Sequence, residues 1–352
     1  MGDTTISWTR RPGTRGRTWN VTQGCALKSE GCRNCYAMRI AARFAVNGWS
    51  KGLINLQTKK WSGETNFANH KLAEPLGWRD PSTVFVNSMS DLFYEGFTNE
   101  QIAAVFGVMA ACRLHTFIIL TKRAQRMREW FEWAHLDGER FDMMRFGPSA
   151  LLTCAWEACA SEMWGDDSDD PFGGLPNAET FGTTWPLPNV WTGVSVENQA
   201  AADERIPPLL ETPAVMRLLS CEPLLGPVDA RLTGCFHEGA GTPARPDELE
   251  NHSGCAARIG WVIAGCESGP GPHVRDCDAD WLRSLRDQCA SAGVPYFLKQ
   301  GRPWDVGKHR PVPMGIGYGP GATRKLGGIV ELPYLDGQQY AEWPQGLPKE
   351  QP

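Results

Sequence analysis

The chain has 352 residues, 41% hydrophobic and 21% charged, with a formal net charge of −5. Those figures exclude a disordered protein, and no run approaches the roughly 18 apolar residues of a membrane-spanning helix. Residues 1–60 carry eleven Lys or Arg against Asp3 and Glu30, a net +9 that leaves −14 on the remaining 292. A basic start on an acidic body points to an anionic partner such as nucleic acid or a nucleotide phosphate; a solvated N-terminal face is the plain alternative. Arg10, Arg11, Arg15 and Arg17 are followed by no apolar stretch, so no secretory leader is expected. The twelve cysteines read as cytosolic thiols, some of them metal ligands, since disulfide scaffolds are usually much shorter chains. Fifteen tryptophans suit a deep pocket or a stacking surface as well as a core.

Short apolar runs recur along the chain. They are Trp19–Thr22, Val84–Val86, Phe117–Leu120, Val190–Val196, Val215–Leu219, Trp261–Ala264 and Val294–Leu298, with Leu151–Cys154 as a further candidate that reads equally as helix. Runs of this length, rich in Val, Ile and aromatics, fit buried strands. Glu100–Arg113 and Ala279–Ala292 read as amphipathic helices, the second stopped by Gly293. Alternating strand and helix implies a mainly parallel sheet with helices outside. Seven or eight such units predict an α/β fold, a (β/α) barrel that is complete or partly open. No G-x-G-x-x-G follows the first strand, which counts against a dinucleotide-binding fold. The barrel is expected over 1–300, with irregular insertions at about 161–188, which is acidic, and 230–258. A Gly/Pro-rich C-terminal tail is expected over 301–352.

Chemistry in a parallel barrel gathers where strands end and loops begin. Those ends read Asn87-Ser88-Met89-Ser90-Asp91, Thr121-Lys122-Arg123, Ser195-Val196-Glu197-Asn198, Ser220-Cys221-Glu222 and Gly265-Cys266-Glu267. Four acids and two bases are thus expected on one face. Each alone is more often a loop cap or an ion pair. Lys122 or Arg123 would neutralise a carboxylate or phosphate, and the acids would hold ribose hydroxyls or an amino group.

The sharpest motif is Gly24-Cys25, six further residues ending in Gly31, then Cys32, two residues, and Cys35-Tyr36. Three cysteines in eleven residues suit zinc or an iron–sulfur cluster, and a cluster held by three thiolates leaves one iron open. Three buried free thiols are the plain alternative, and free cysteines seldom cluster this way. A second set, Cys235, His237, His252 and Cys255, fits a possible tetrahedral zinc site or else a loose loop.

The cysteine loop, placed after the first strand with an aromatic behind its third cysteine, resembles that of the radical S-adenosylmethionine enzymes. That superfamily usually spaces the cysteines with three and two intervening residues; here six residues separate Cys25 from Cys32. A closer resemblance is to an uncharacterised bacteriophage and prophage family known by its three-cysteine motif. It is carried by Trp19-Asn20 through Cys35-Tyr36-Ala37, Asn87 to Phe93, Leu120 to Arg123, Pro188 to Asn198, Leu219 to Pro227, Glu267 to Pro270, and Lys299-Gln300. The resemblance implies that Cys25, Cys32 and Cys35 ligate a 4Fe-4S cluster whose open iron takes S-adenosylmethionine. It implies that Ser88, Ser90 and Asp91 lie where the superfamily meets the methionine amino group, although the usual Gly-Gly-Glu is absent. Tyr36 would approach the adenine. The cofactor would then supply a deoxyadenosyl radical, while the protein positions it and excludes water.

Three functions compete. A radical S-adenosylmethionine-type enzyme modifying or repairing nucleic acid or a nucleotide uses the cysteine loop, the basic start and the aromatic content. It would have Lys122, Glu197 and Asn198 near the cofactor, and Cys221, Cys266, Glu222 and Glu267 as catalytic candidates, either cysteine serving as hydrogen donor. Such an enzyme needs a reductant protein and is expected in the cytoplasm of a bacterial or phage-infected cell, away from membranes. A barrel hydrolase using Glu197, Glu222 and Glu267 leaves the cysteines unexplained. A non-catalytic zinc-dependent nucleic-acid binder leaves the acids unexplained.

Overall fold

The computed structural model describes residues 3–140, 186–232, 258–268, 273–300, 316–317 and 333–344. Leu151–Cys154, most of the two expected insertions and most of the expected tail lie outside the described residues. Twelve strands are described: β1 Arg15–Trp19, β2 Thr22–Gln23, β3 Asn66–Phe67, β4 Ser82–Val86, β5 Thr116–Thr121, β6 Val190–Ser195, β7 Met216–Cys221, β8 Ile259–Gly265, β9 Tyr296–Gln300, β10 Ile316–Gly317, β11 Tyr334–Leu335 and β12 Gln338–Gln339. Five α-helices accompany them: α1 Tyr36–Arg43, α2 Asn99–Ala111, α3 Ala124–Arg140, α4 Gln199–Glu211 and α5 Ala279–Ala292. Seven strands form one sheet in the order β1-β4-β5-β6-β7-β8-β9, with β1 and β9 as its edges. The pairs β1–β4, β4–β5, β7–β8 and β8–β9 are parallel. The fold is therefore mixed α/β around a parallel sheet, each strand reached from the last through a crossover, as parallel pairing demands.

The expected first strand, Trp19–Thr22, is displaced. β1 occupies Arg15–Trp19 in register with Ser82–Val86. Its charged pattern hid it, because Arg17 is buried by stacking 4.7 Å from the Trp78 ring centroid and by donating to the Ser82 hydroxyl at 3.1 Å. Such a contact turns a cation into core material.

The chain divides into two compact units. The first is Met1–Thr4, Thr9–Thr192 and Thr212–Val215; the second is Thr5–Trp8, Gly193–Glu211 and Met216–Pro352. In the first, α2 opens with a capping box between Thr98 and Gln101 and buries Ile102 through Met109. The Phe106 and Trp130 rings lie 4.4 Å apart, centroid to centroid, between α2 and α3. A helix apolar on all sides belongs in a core. In the second unit Trp8, Trp261, Phe297 and Trp343 form a chain of edge-to-face rings at 6.3, 6.2 and 5.1 Å. The Trp343 and Trp261 indoles donate to the Trp8 and Glu342 carbonyls at 3.0 and 2.8 Å. Five tryptophans, Trp8, Trp19, Trp130, Trp191 and Trp261, are fully buried, so much of the aromatic content is core.

Candidate functional site

In the first unit the chain leaves β1, pairs briefly through β2, and turns at Gly24 into the cysteine loop. Gly24 has φ +92°, and a Cβ there would meet the Glu64 carbonyl oxygen at 2.2 Å. Only glycine fits this turn. Cys25, Cys32 and Cys35 are all free and half-buried. Cys35 is the N-cap residue of α1, and Tyr36 begins that helix.

The loop is fastened to the ends of β4 and β5 by one charged pair. Asp91 accepts from the Phe93 N–H at 3.1 Å, the Thr121 hydroxyl at 2.7 Å, the Lys122 N–H at 3.1 Å and Arg123 Nη1 at 3.0 Å. Arg123 also donates to Glu95 at 2.8 Å and to the Ala26 carbonyl at 3.2 Å, and lies 4.7 Å from the Tyr94 ring centroid. Its Nη1 faces the Cys25 sulfur at 3.9 Å. A guanidinium fork can reach all these partners at once; an ammonium cannot. Asp91, expected next to a cofactor amino group, here has its acceptor positions filled by the protein and holds Arg123.

Asn20 and Asn87 tie the neighbouring turns. Asn20 Oδ1 accepts from the Ser88 hydroxyl at 3.0 Å and the Met89 N–H at 3.1 Å. Asn87, in the left-handed region at φ +58°, accepts from the Thr22 N–H at 3.1 Å. Ser90 and Thr22 hydroxyls are 2.6 Å apart, and the Tyr36 hydroxyl donates to the Ser88 carbonyl. Ser88, Ser90 and Tyr36 are thus gathered around the cysteine loop.

Electrostatics follow from this packing. Burial pushes the Cys25 thiol up to about 12, Asp91 adds to the rise, Arg123 opposes it, and Cys32 and Cys35 add further. Burial also raises Cys35; the Met38 and Ala37 N–H groups and the Lys122 ammonium pull against it, while Cys32 adds to it. The three thiols therefore lie within electrostatic reach of one another, with two cations beside them. Among the described residues no three His, Cys, Asp or Glu side chains converge to hold a metal ion. As donors the set nevertheless matches a thiophilic centre, since three uncrosslinked thiols share one short loop.

The second unit places each expected glutamate against a cation. Glu197 accepts from Arg205 of α4 at 2.8 Å with both side chains 2% exposed. Glu222 meets Lys299 of β9 at 2.7 Å. Glu267 accepts from Arg275, including its backbone N–H at 2.8 Å. Asn198 accepts from the Ala201 N–H at 3.0 Å and so caps α4. Cys221 and Cys266 are buried. Burial first, then Cys289 and Glu197, raise the Cys221 thiol. The Cys277 thiol is raised by the neighbouring Cys266 and by burial. Cys235, His237, His252 and Cys255 lie outside the described residues.

Residues 3–344 match the family described as protein of unknown function (DUF5131). The chain belongs to this family. No curated protein and no solved structure matches the chain. Sequence reasoning gave Lys122 and Arg123 alternative roles and left Asn20, Glu95, Arg205 and Arg275 without any. Among the described residues no helix is long and apolar enough to cross a membrane.

Proposed function

We propose that Cys25, Cys32 and Cys35 hold a 4Fe-4S cluster and that the protein is a radical S-adenosylmethionine-type enzyme on an open (β/α) barrel, acting on nucleic acid or a nucleotide. The observation that carries this reading is three free thiols on one loop, which the buried Asp91–Arg123 pair grips at the Ala26 carbonyl. The bound group would supply an electron, delivered by a reductant protein, for reductive cleavage of S-adenosylmethionine. The chain's own part is to hold and shield the loop. Gly24 sets its entry, and Arg123 grips the Ala26 carbonyl. Lys122 would balance part of the charge that three thiolates bring, while Arg123 is paired with Asp91 and Glu95. Tyr36, held through its hydroxyl by the Ser88 carbonyl, presents a ring on which an adenine can stack. Asp91 is a positioning residue, acting through Arg123.

The hydrolase alternative draws less support. Glu197, Glu222 and Glu267 each face a cation of their own, whereas a general acid needs surroundings that keep it protonated. Cys221 and Cys266 stand as the hydrogen-donor candidates. Alanine at the donor should spare cofactor cleavage and stop or divert product; alanine at Cys25, Cys32 or Cys35 should abolish both.

Anaerobic purification, reconstitution with iron and sulfide, and metal analysis test the reading. A brown protein with equal iron and sulfide, lost in each of the three cysteine variants, is expected. A colourless protein that takes up only zinc would sink it in favour of the zinc-dependent binder.

A further inference from the structure

Helix α1 has two faces of opposite purpose. Ala37, Met38 and Ala41 are buried, and with Ala45 and Ile54 they anchor a small core that includes Cys35, Trp49 and Trp61. The other face carries Tyr36, Arg39, Ile40, Arg43 and Phe44, and all five are exposed. Their spacing i, i+3, i+4, i+7, i+8 makes one continuous stripe. A solvated face is ordinarily polar. Here Tyr36, Ile40 and Phe44 stand 37%, 36% and 45% exposed, and α1 contains no acid. Between residues 27 and 61 seven Lys or Arg stand against the single acid Glu30.

We infer that this stripe is a binding surface for single-stranded nucleic acid. Aromatic rings interleaved with cations are what an unpaired strand requires: bases stack on the rings while guanidinium groups meet phosphates. Phe44 lies eight residues from Tyr36, about 12 Å along the helix, so a strand stacked on Phe44 runs along Arg43, Ile40 and Arg39 toward Tyr36, whose ring the function proposed above gives to the adenine. Phe44 lies 6.4 Å from the partly buried Trp49, which backs its ring. A membrane surface is the poorer fit. Interfacial helices separate an apolar face from a basic one, whereas here both residue types share the single exposed face and the opposite face is spent on the protein's own core. The stripe begins at Tyr36, next to Cys35, so a bound strand starts beside the cysteine loop. That link to catalysis rests on the function proposed above; the binding does not.

Fluorescence anisotropy of the full-length protein with a labelled single-stranded DNA oligonucleotide, its duplex, and anionic phosphatidylserine vesicles as competitor tests the inference. The single strand should bind more tightly than the duplex and resist the vesicles. Phe44→Ala should weaken it about fivefold to a hundredfold. Arg39→Gln with Arg43→Gln should weaken it and lower the salt slope by about 1.4. All three positions are exposed, and circular dichroism checks that the variants fold. Unchanged affinity and slope in these variants, tighter duplex binding, or displacement by vesicles would overturn the inference. Cys25→Ala separates the two proposals: it should lose iron yet keep DNA binding. An iron-free wild type that still binds through Phe44, Arg39 and Arg43 would sink the cluster and leave the surface standing.

Discussion

Arg123→Met tests how the cysteine loop is held. The side chains of Arg123 and Asp91 are 5% and 9% exposed, so removing the cation leaves a carboxylate in a poorly solvated place. Breaking a buried pair by deleting one partner costs about 3–5 kcal/mol. Asp91 keeps three other donors, from Phe93, Thr121 and Lys122, which favours the lower end, about 3 kcal/mol. That is roughly a hundredfold in the opening equilibrium of this region. Hydrogen exchange should therefore accelerate by about that factor at residues 24–35 and 91–95, where Arg123 touches Ala26 and Glu95. Asp91→Asn with Arg123→Met should recover part of the loss, a coupling of about 0.5–3 kcal/mol. Arg123→Lys should recover little, because an ammonium cannot bridge Asp91, Glu95 and the Ala26 carbonyl together. Exchange at 24–35 unchanged in Arg123→Met would refute the idea that this pair holds the loop.

Other perturbations probe separate parts of the chain. Glu197→Gln should destabilise the second unit by about 3 kcal/mol, because Arg205 would lose its carboxylate while 2% exposed; Glu197→Gln with Arg205→Met should be milder, read by urea unfolding. Gly24→Ala forces a side chain into positive φ and against Glu64, so it should lower the melting temperature and reduce iron uptake, at about 1–3 kcal/mol for the backbone strain alone. Asp336 sits in the β11–β12 turn, where hydrogen bonds from Arg283 and Arg286 lower its carboxyl to about 2. A depressed acid contributes stability above its unfolded value of about 3.9, and this is lost as pH falls toward about 2. Amide exchange at 334–339 should therefore rise over that window in wild type, and Asp336→Asn should flatten the change.

Apolar runs located six of the seven strands of the main sheet, because buried parallel strands are continuous and hydrophobic. α5 was readable to the residue, since Asp278 caps it and Gly293 ends it at φ +64°. β1 was misplaced because its arginines signal solvent unless the stacking partner of Arg17, the distant Trp78, is known. The three cysteines declared themselves by spacing alone. What grips them did not, since Asp91, Glu95 and Arg123 come from separate segments and a carboxylate in a sequence looks the same whether it faces substrate or guanidinium.

That ambiguity explains why the acids divide as they do. Strand ends collect charged residues both for chemistry and because helices and loops start there with unsatisfied backbone groups. Asn198 capping α4 and Glu197 holding Arg205 belong to the second reason. A cluster of acids at strand ends thus supports a catalytic reading only once each has been checked for a cation of its own. Glu197, Glu222 and Glu267 each have one. The thiols differ: Cys25, Cys32 and Cys35 are free, half-buried and share a loop, while Arg123, held by Asp91, reaches that loop at the Ala26 carbonyl. Rigid support around three soft donors is what a metal centre requires of its outer shell. On that ground the proposed chemistry is assigned to the cysteine loop, while the three glutamates serve as ion-pair partners within the second unit.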